Sequence, residues 1–97
     1  AWEIPLAVRR LVERREITAV IALGCVIQGE TTHDRYINSA VSSALMQLSL
    51  DHGKPVSFGV LTVQSLEQAI HRSGGNVGNK GEEAASAAIE MARLGSR

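Results

Sequence analysis

The sequence predicts an α/β protein, a three-layer α/β/α sandwich with a parallel sheet at its centre. Three observations carry this. Ala19 to Ile27 is an apolar run with no polar alternation, the habit of a strand covered on both faces in a parallel sheet. A second run, Pro55-Val56-Ser57-Phe58-Gly59-Val60-Leu61, has strand composition, and proline is tolerated at a strand start. Between them, Asp34 to Leu50 repeats its apolar residues at helical spacing. A strand, a helix and a strand in that order imply a right-handed β-α-β crossover.

The remaining elements follow from local chemistry. Pro5 suits the first turn of a helix, where its missing N–H costs nothing. Val8, Leu11 and Val12 then recur on one side, with arginines and Glu13 on the other. In the central helix Ile37, Val41, Ala44, Leu45 and Leu48 form the inward stripe, widened by Tyr36 and Ala40. Thr31 or Thr32 caps it, and Gly53 is its natural stop. Ser65-Leu66-Glu67-Gln68 has capping-box spacing and opens a short helix to Arg72. Ser73 to Gly81 is glycine-rich and reads as a loop. Glu82 to Leu94 is an alanine-rich helix anchored by Ile89, Met91 and Leu94. The order is α-β-α-β-α-α. Two strands make a poor sheet, so the others are expected upstream of Ala1 or from a partner chain.

With 97 residues, the chain is read as one domain, 1–97. Acidic and basic residues balance, which argues against a nucleic-acid or anionic-membrane surface. No apolar run approaches the roughly 20 residues needed to span a bilayer. The single cysteine, Cys25, lies inside the first apolar run and reads as a buried structural thiol. No set of Cys, His and Asp has metal-ligand spacing, and no metal is expected.

Gly29-Glu30-Thr31-Thr32-His33 lies where the first strand turns into the central helix. Unpaired N–H groups and the helix dipole favour an anion there. In open α/β sheets, ligands sit at this end of the strands. A lone histidine near a strand end is more often structural than catalytic. At a helix start, His33 would stay neutral and able to act as a base, which balances the two readings. Arg72, Lys80 and the glycine-rich loop could hold phosphate or be an ordinary connector with surface charges. The loop has no Walker Lys-Ser/Thr pair, and it follows a helix rather than a strand, unlike a dinucleotide fingerprint. Trp2 and Glu3 read as a helix-start staple and carboxylate, or as a carboxylate accepting hydrogen bonds from a polyol. Glu83 reads as a helix-start carboxylate that could pair with Arg72. His52 and His71 read as surface residues.

Several segments, taken in order, carry a resemblance. They are Trp2-Glu3-Ile4-Pro5, Val20-Ile21-Ala22-Leu23-Gly24, Gly29-Glu30-Thr31-Thr32-His33, Phe58-Gly59-Val60-Leu61-Thr62, Glu67-Gln68-Ala69-Ile70 and Gly78-Asn79-Lys80-Gly81-Glu82-Glu83-Ala84-Ala85. Together they resemble the 6,7-dimethyl-8-ribityllumazine synthases of riboflavin biosynthesis. The resemblance implies a flavodoxin-like fold and a transferase. Such an enzyme condenses 5-amino-6-ribitylaminouracil with 3,4-dihydroxy-2-butanone 4-phosphate, releasing phosphate and water, and needs no cofactor or metal. It implies His33 as the proton-transfer residue, and Glu30, Thr31 and Arg72 around the phosphate. Ala1, Trp2 and Glu3 would hold the ribityl chain. Val26, Ile27 and Phe58 would border the pyrimidine, Lys80 would line the site, and Glu83 would orient Arg72.

The resemblance further implies homo-oligomers. Phe58, Arg72 and Lys80 would enter the pocket from a neighbouring copy in a pentamer, and decamers or 60-subunit icosahedral shells are built on such pentamers. The loop from Ser73 to Gly81 shows no insertion relative to shell formers. A cytoplasmic location, or a plastid one in a plant, is expected. The family's N-terminal portion, with two strands and a stacking aromatic, has no counterpart here. The chain thus corresponds to the C-terminal two thirds of the family domain, and residues 1–97 alone are expected to show little or no catalysis. Asn76 stands where many members carry a basic residue, and Asp34-Arg35 replaces the commoner aromatic-acidic pair. The alternatives are an archaeal-type riboflavin synthase of the same fold and a non-catalytic shell or scaffold subunit.

Overall fold

The computed structural model describes residues 1–27, 33–75 and 78–95, without the side chains of His33 and Asp34. Its elements run α1 (Ile4–Val12), β1 (Val20–Ile27), α2 (His33–His52), β2 (Val56–Val63), α3 (Leu66–Arg72), β3 (Ser73–Gly75), β4 (Gly78–Asn79) and α4 (Lys80–Gly95). β1 and β2 lie parallel, in register from Val20 beside Val56 to Ile27 beside Val63. The α/β class and the parallel pairing are those the two apolar runs predict.

The first face of this sheet is covered by the branched side chains of two helices. Val20 and Ala22 of β1 pack with Val8 and Val12 of α1 and with Val41 and Leu45 of α2, all buried. Ile4, Ile17, Ile37, Leu48 and Val56 surround them. Helical spacing put Ile37, Val41, Leu45 and Leu48 on one stripe, and that stripe is the one that packs. Tyr36 does not widen it: its ring is exposed, and Ala40 is exposed too. Leu11 also points largely outward, leaving Val8 and Val12 as the buried residues of α1.

Lys54 ties this layer together. It follows the α2 stop at Gly53, whose φ of +62° is the left-handed turn expected of a helix-ending glycine. The Lys54 Nζ donates to the carbonyl oxygens of Val12 and Arg14 at 2.8 and 2.9 Å. An ammonium at a helix C-terminus satisfies orphan carbonyls and suits the dipole.

The second face is built from small side chains. Gly59 of β2 meets Ala84 of α4 so closely that a Cβ on Gly59 would lie 3.1 Å from the Ala84 Cβ and 2.7 Å from Leu23 Cδ2. Ala84 and Ala88 are the buried residues of α4. The expected anchors Ile89, Met91 and Leu94 are exposed instead. The alanine stripe brings α4 down onto β2, and the bulkier residues fall on its other sides.

Burial of β1 on both faces does not hold either. Ile21, Leu23 and Ile27 are exposed, and Cys25, on the same side of the strand, is an exposed free thiol rather than a buried one. α4 packs mainly over β2, which leaves this stripe of β1 open.

The glycine-rich segment departs from a plain loop. Ser73–Gly75 and Gly78–Asn79 form a short antiparallel ladder, so the described residues include four strands where two were expected. A Cβ on Gly75 would sit 2.7 Å from the His71 Cα, so only glycine lets this strand fold back against the end of α3.

Candidate functional site

The carboxyl end of β2 gathers the charged residues that the sequence singles out. Here the strand runs on to Val63, past the Leu61 that composition suggested. Ser65 then caps α3: its Oγ accepts from the Gln68 N–H at 3.2 Å. The Gln68 Oε1 reaches back to accept from the Gln64 N–H at 2.8 Å. This reciprocal pair is a capping box displaced by one residue. It starts α3 immediately after the strand and so turns the helix back along it.

Arg72 is the last residue of α3. Its Nη1 donates to the Thr62 carbonyl at 3.5 Å. The Ser73 Oγ donates to the carbonyls of Ala69 and Ile70 at 2.8 and 3.2 Å, closing the helix end. The short ladder then delivers Asn79, whose Oδ1 accepts from the Glu82 N–H at 3.1 Å. Asn79 is thus the cap of α4, which begins at Lys80 rather than at the expected Glu82. The signal was legible: Asn79 and Glu82 have N-cap spacing.

The outcome is a cleft of about 240 Å³ lined by Val60, Leu61, Thr62, Arg72, Gly78, Asn79, Lys80 and Glu83. Two cations and one carboxylate face it. A second cleft of about 490 Å³ runs along the β2 edge between α2 and α4. Phe58, Leu45, Met46 and Met91 line it, together with the same Lys80 and Glu83. The first turn of α4 is therefore shared by a polar cleft and an apolar one. A guanidinium fork suits phosphate oxygens, and an apolar trough beside it suits a flat ring.

The other predicted residues stand apart. Trp2 is 67 % exposed at the approach to α1, so it does not act as a hydrophobic staple. Glu3 caps α1 with no side-chain bond to the helix. Its carboxyl sits below the usual carboxylate range, chiefly through a hydrogen bond with its own backbone N–H. Val26 is half-buried and Ile27 exposed at the end of β1. None of Ala1, Trp2, Glu3, Val26 or Ile27 lines either cleft. His33 opens α2, but its side chain, and the whole of Glu30 and Thr31, lie outside the described residues, as does Asn76. Among the described residues, no cluster of His, Cys, Asp and Glu could hold a metal, and no helix is long and apolar enough to cross a membrane.

Two residues had no role assigned to them from the sequence. Thr62 lines the charged cleft, and its Oγ1 accepts a hydrogen bond from the Asn38 Nδ2 of α2. Thr62 only closed the segment Phe58 to Thr62, and Asn38 stood in no motif.

Comparison with known proteins gives one consistent family. The sequence profile of 6,7-dimethyl-8-ribityllumazine synthase matches residues 1–96. The 6,7-dimethyl-8-ribityllumazine synthase of Rhodopirellula baltica is 55 % identical over 94 residues, covering 97 % of this chain and 61 % of its own length. Those of Aquifex aeolicus and Thermus thermophilus are 54 % and 50 % identical over 94 residues, with 61 % and 60 % of their lengths covered. The chain thus spans about three fifths of the length of these curated relatives. By that match over nearly its entire length, the chain belongs to the 6,7-dimethyl-8-ribityllumazine synthase family.

Proposed function

We propose that this protein condenses 5-amino-6-ribitylaminouracil with 3,4-dihydroxy-2-butanone 4-phosphate to 6,7-dimethyl-8-ribityllumazine, releasing phosphate and water. The observation that carries this is the convergence of Arg72 and Lys80 in one cleft beside the apolar trough of Phe58, in a chain of this family. Arg72 binds the phosphate of the ketone with its free N–H groups, and Lys80 adds a second positive charge. Phe58 borders the ring of the pyrimidine. Glu83, on the same turn as Lys80, orients the guanidinium.

The remaining roles fall to residues at the start of α1, the end of β1 and the approach to α2. His33 moves the proton as the amine of the pyrimidine attacks the ketone. Glu30 and Thr31 close around the phosphate at the start of α2, and Ala1, Trp2 and Glu3 receive the ribityl hydroxyls beside Val26 and Ile27. Of this second group, the described residues Ala1, Trp2, Glu3, Val26 and Ile27 line neither cleft. A working pocket therefore combines the Arg72 side of one copy with the His33 side of the next, and the pentamer is the smallest form that closes every site. Holding two flexible reactants together supplies much of the rate, and proton transfer by a placed histidine adds about 10²–10⁴-fold.

Incubating the full-length protein with both substrates and following lumazine absorbance and fluorescence tests this reading. Product is expected. Its absence from an intact oligomer overturns the proposal. Riboflavin formed from the lumazine alone would instead identify a riboflavin synthase.

A further inference from the structure

The hydrogen bond between Asn38 and Thr62 joins two parts of the molecule that the proposed reaction uses. Asn38 stands in the second turn of α2, the helix that His33 opens. Its Nδ2 donates to the Thr62 Oγ1, near the end of β2. The carbonyl of the same Thr62 accepts from the Arg72 Nη1. Thr62 is thus held through its side chain by one helix while its main chain holds the guanidinium of another.

The surroundings explain why such a link matters. Among the described residues, β2 pairs with β1 alone, so the end of this strand is fixed by ladder bonds on one side only. Asn38 supplies a tether from the layer above. The tether is energetically awkward, because the Asn38 Oδ1 is buried without a hydrogen-bond partner among the described residues. A half-satisfied buried amide is costlier than a well-packed apolar side chain. Stability alone does not favour asparagine here, whereas a need to fix the place of Thr62 does.

We propose that Asn38 and Thr62 are positioning residues, which set the Arg72 guanidinium for a phosphate monoester by fixing the carbonyl on which it rests. This rests on the reading of Arg72 as the phosphate-binding residue. One guanidinium N–H is spent on Thr62, and the others keep the fixed fork that a phosphate needs. With the tether gone, the end of β2 is free to shift, and the fork loses its aim without losing its charge.

The experiment uses the full-length protein and titrates inorganic phosphate by calorimetry, with Arg72→Ala as the reference for lost binding. The double variant Asn38→Leu/Thr62→Val replaces both partners by apolar groups of similar shape, so neither is left unpaired. It should bind phosphate about fivefold more weakly or worse, the value of one hydrogen bond. Thr62→Ser, which keeps the hydroxyl, should bind as the unsubstituted protein does. In turnover, the KM for the phosphorylated ketone should rise in the double variant while the KM for the pyrimidine stays. Thr62→Val alone serves if the double variant does not fold.

Unchanged phosphate affinity in the valine variants overturns the proposal. So does an equal loss in Thr62→Ser, which would mean a general packing role, and so does a lack of Arg72-dependent phosphate binding in the unsubstituted protein. Arg72-dependent binding that follows the expected pattern, without any lumazine formed, would sink the synthase reading and leave the positioning link standing.

Discussion

The two faces of the β1–β2 sheet are built by opposite means. Toward α1 and α2 the strands present Val20, Ala22 and Val56, and the helices answer with Val8, Val12, Val41 and Leu45. Toward α4 the contact is Gly59 on Ala84, and Ala88 lies buried one turn on. Large side chains hold layers apart and stabilise through buried area. Small ones stabilise less per residue but let backbones approach. That approach brings the first turn of α4, with Lys80 and Glu83, against the strand end where Arg72 lies. One face is scaffold, and the other is shaped to place charge.

Leu45→Ala should have the largest effect. Leu45 is only 2 % exposed, and such truncations cost about 2–5 kcal/mol through lost burial and the cavity left behind. Denaturant unfolding reads this directly. A cost near zero would remove the α2 face from its role as scaffold.

Arg72→Ala should act on binding instead. Hydrogen bonds to charged groups are worth about 1.5–3 kcal/mol, so the KM for the phosphorylated ketone should rise about 10- to 100-fold. The melting temperature should hardly move, because Arg72 is exposed. An equal rise for the pyrimidine would break the assignment of phosphate binding to this side.

Gly59→Ala sharpens the contrast from the other direction. The new Cβ meets Ala84 and the Ala22 carbonyl at 3.1 and 3.2 Å, and overpacking of this kind costs about 1–3 kcal/mol. Turnover should fall with it, since relief of the clash moves α4 and its Lys80. Stability lost with kinetics intact would show that close approach of α4 does not set the site.

The smallest effect is expected on the stripe of β1 that α4 leaves open. Leu23 is 59 % exposed, so Leu23→Ser should cost within about 0.5 kcal/mol. A loss approaching that of Leu45→Ala would mean that another copy or segment covers this strand.

The same contrast marks what the sequence made legible. Apolar runs identified both main strands, and apolar periodicity the helix between them and its inward stripe, because burial of large side chains leaves a pattern. It misassigned α4, where Ile89, Met91 and Leu94 drew attention and Ala84 with Ala88 did the packing. It overstated the burial of β1, including Cys25, because composition says that a strand suits a cover without saying what supplies one. The Ser73–Gly75 ladder escaped notice since glycine carries no periodic signal. Of the candidate site, Arg72, Lys80 and Glu83 stood out by charge and motif. Thr62 and Asn38 did not, because a hydroxyl and an amide gain their meaning only when the fold sets them side by side.

The reach of Lys54 to the carbonyls of Val12 and Arg14 bears on how the polypeptide assembles during translation. The anchor of the first helix lies some forty positions downstream, so the segment bearing Trp2 and Glu3 emerges from the ribosome well before the side chain that fastens it. A contact between such distant positions carries a larger loop-closure cost than the bonds within α1. Acetylating that one lysine would remove the charge and with it the ammonium that joins the end of α1 to the approach to β2.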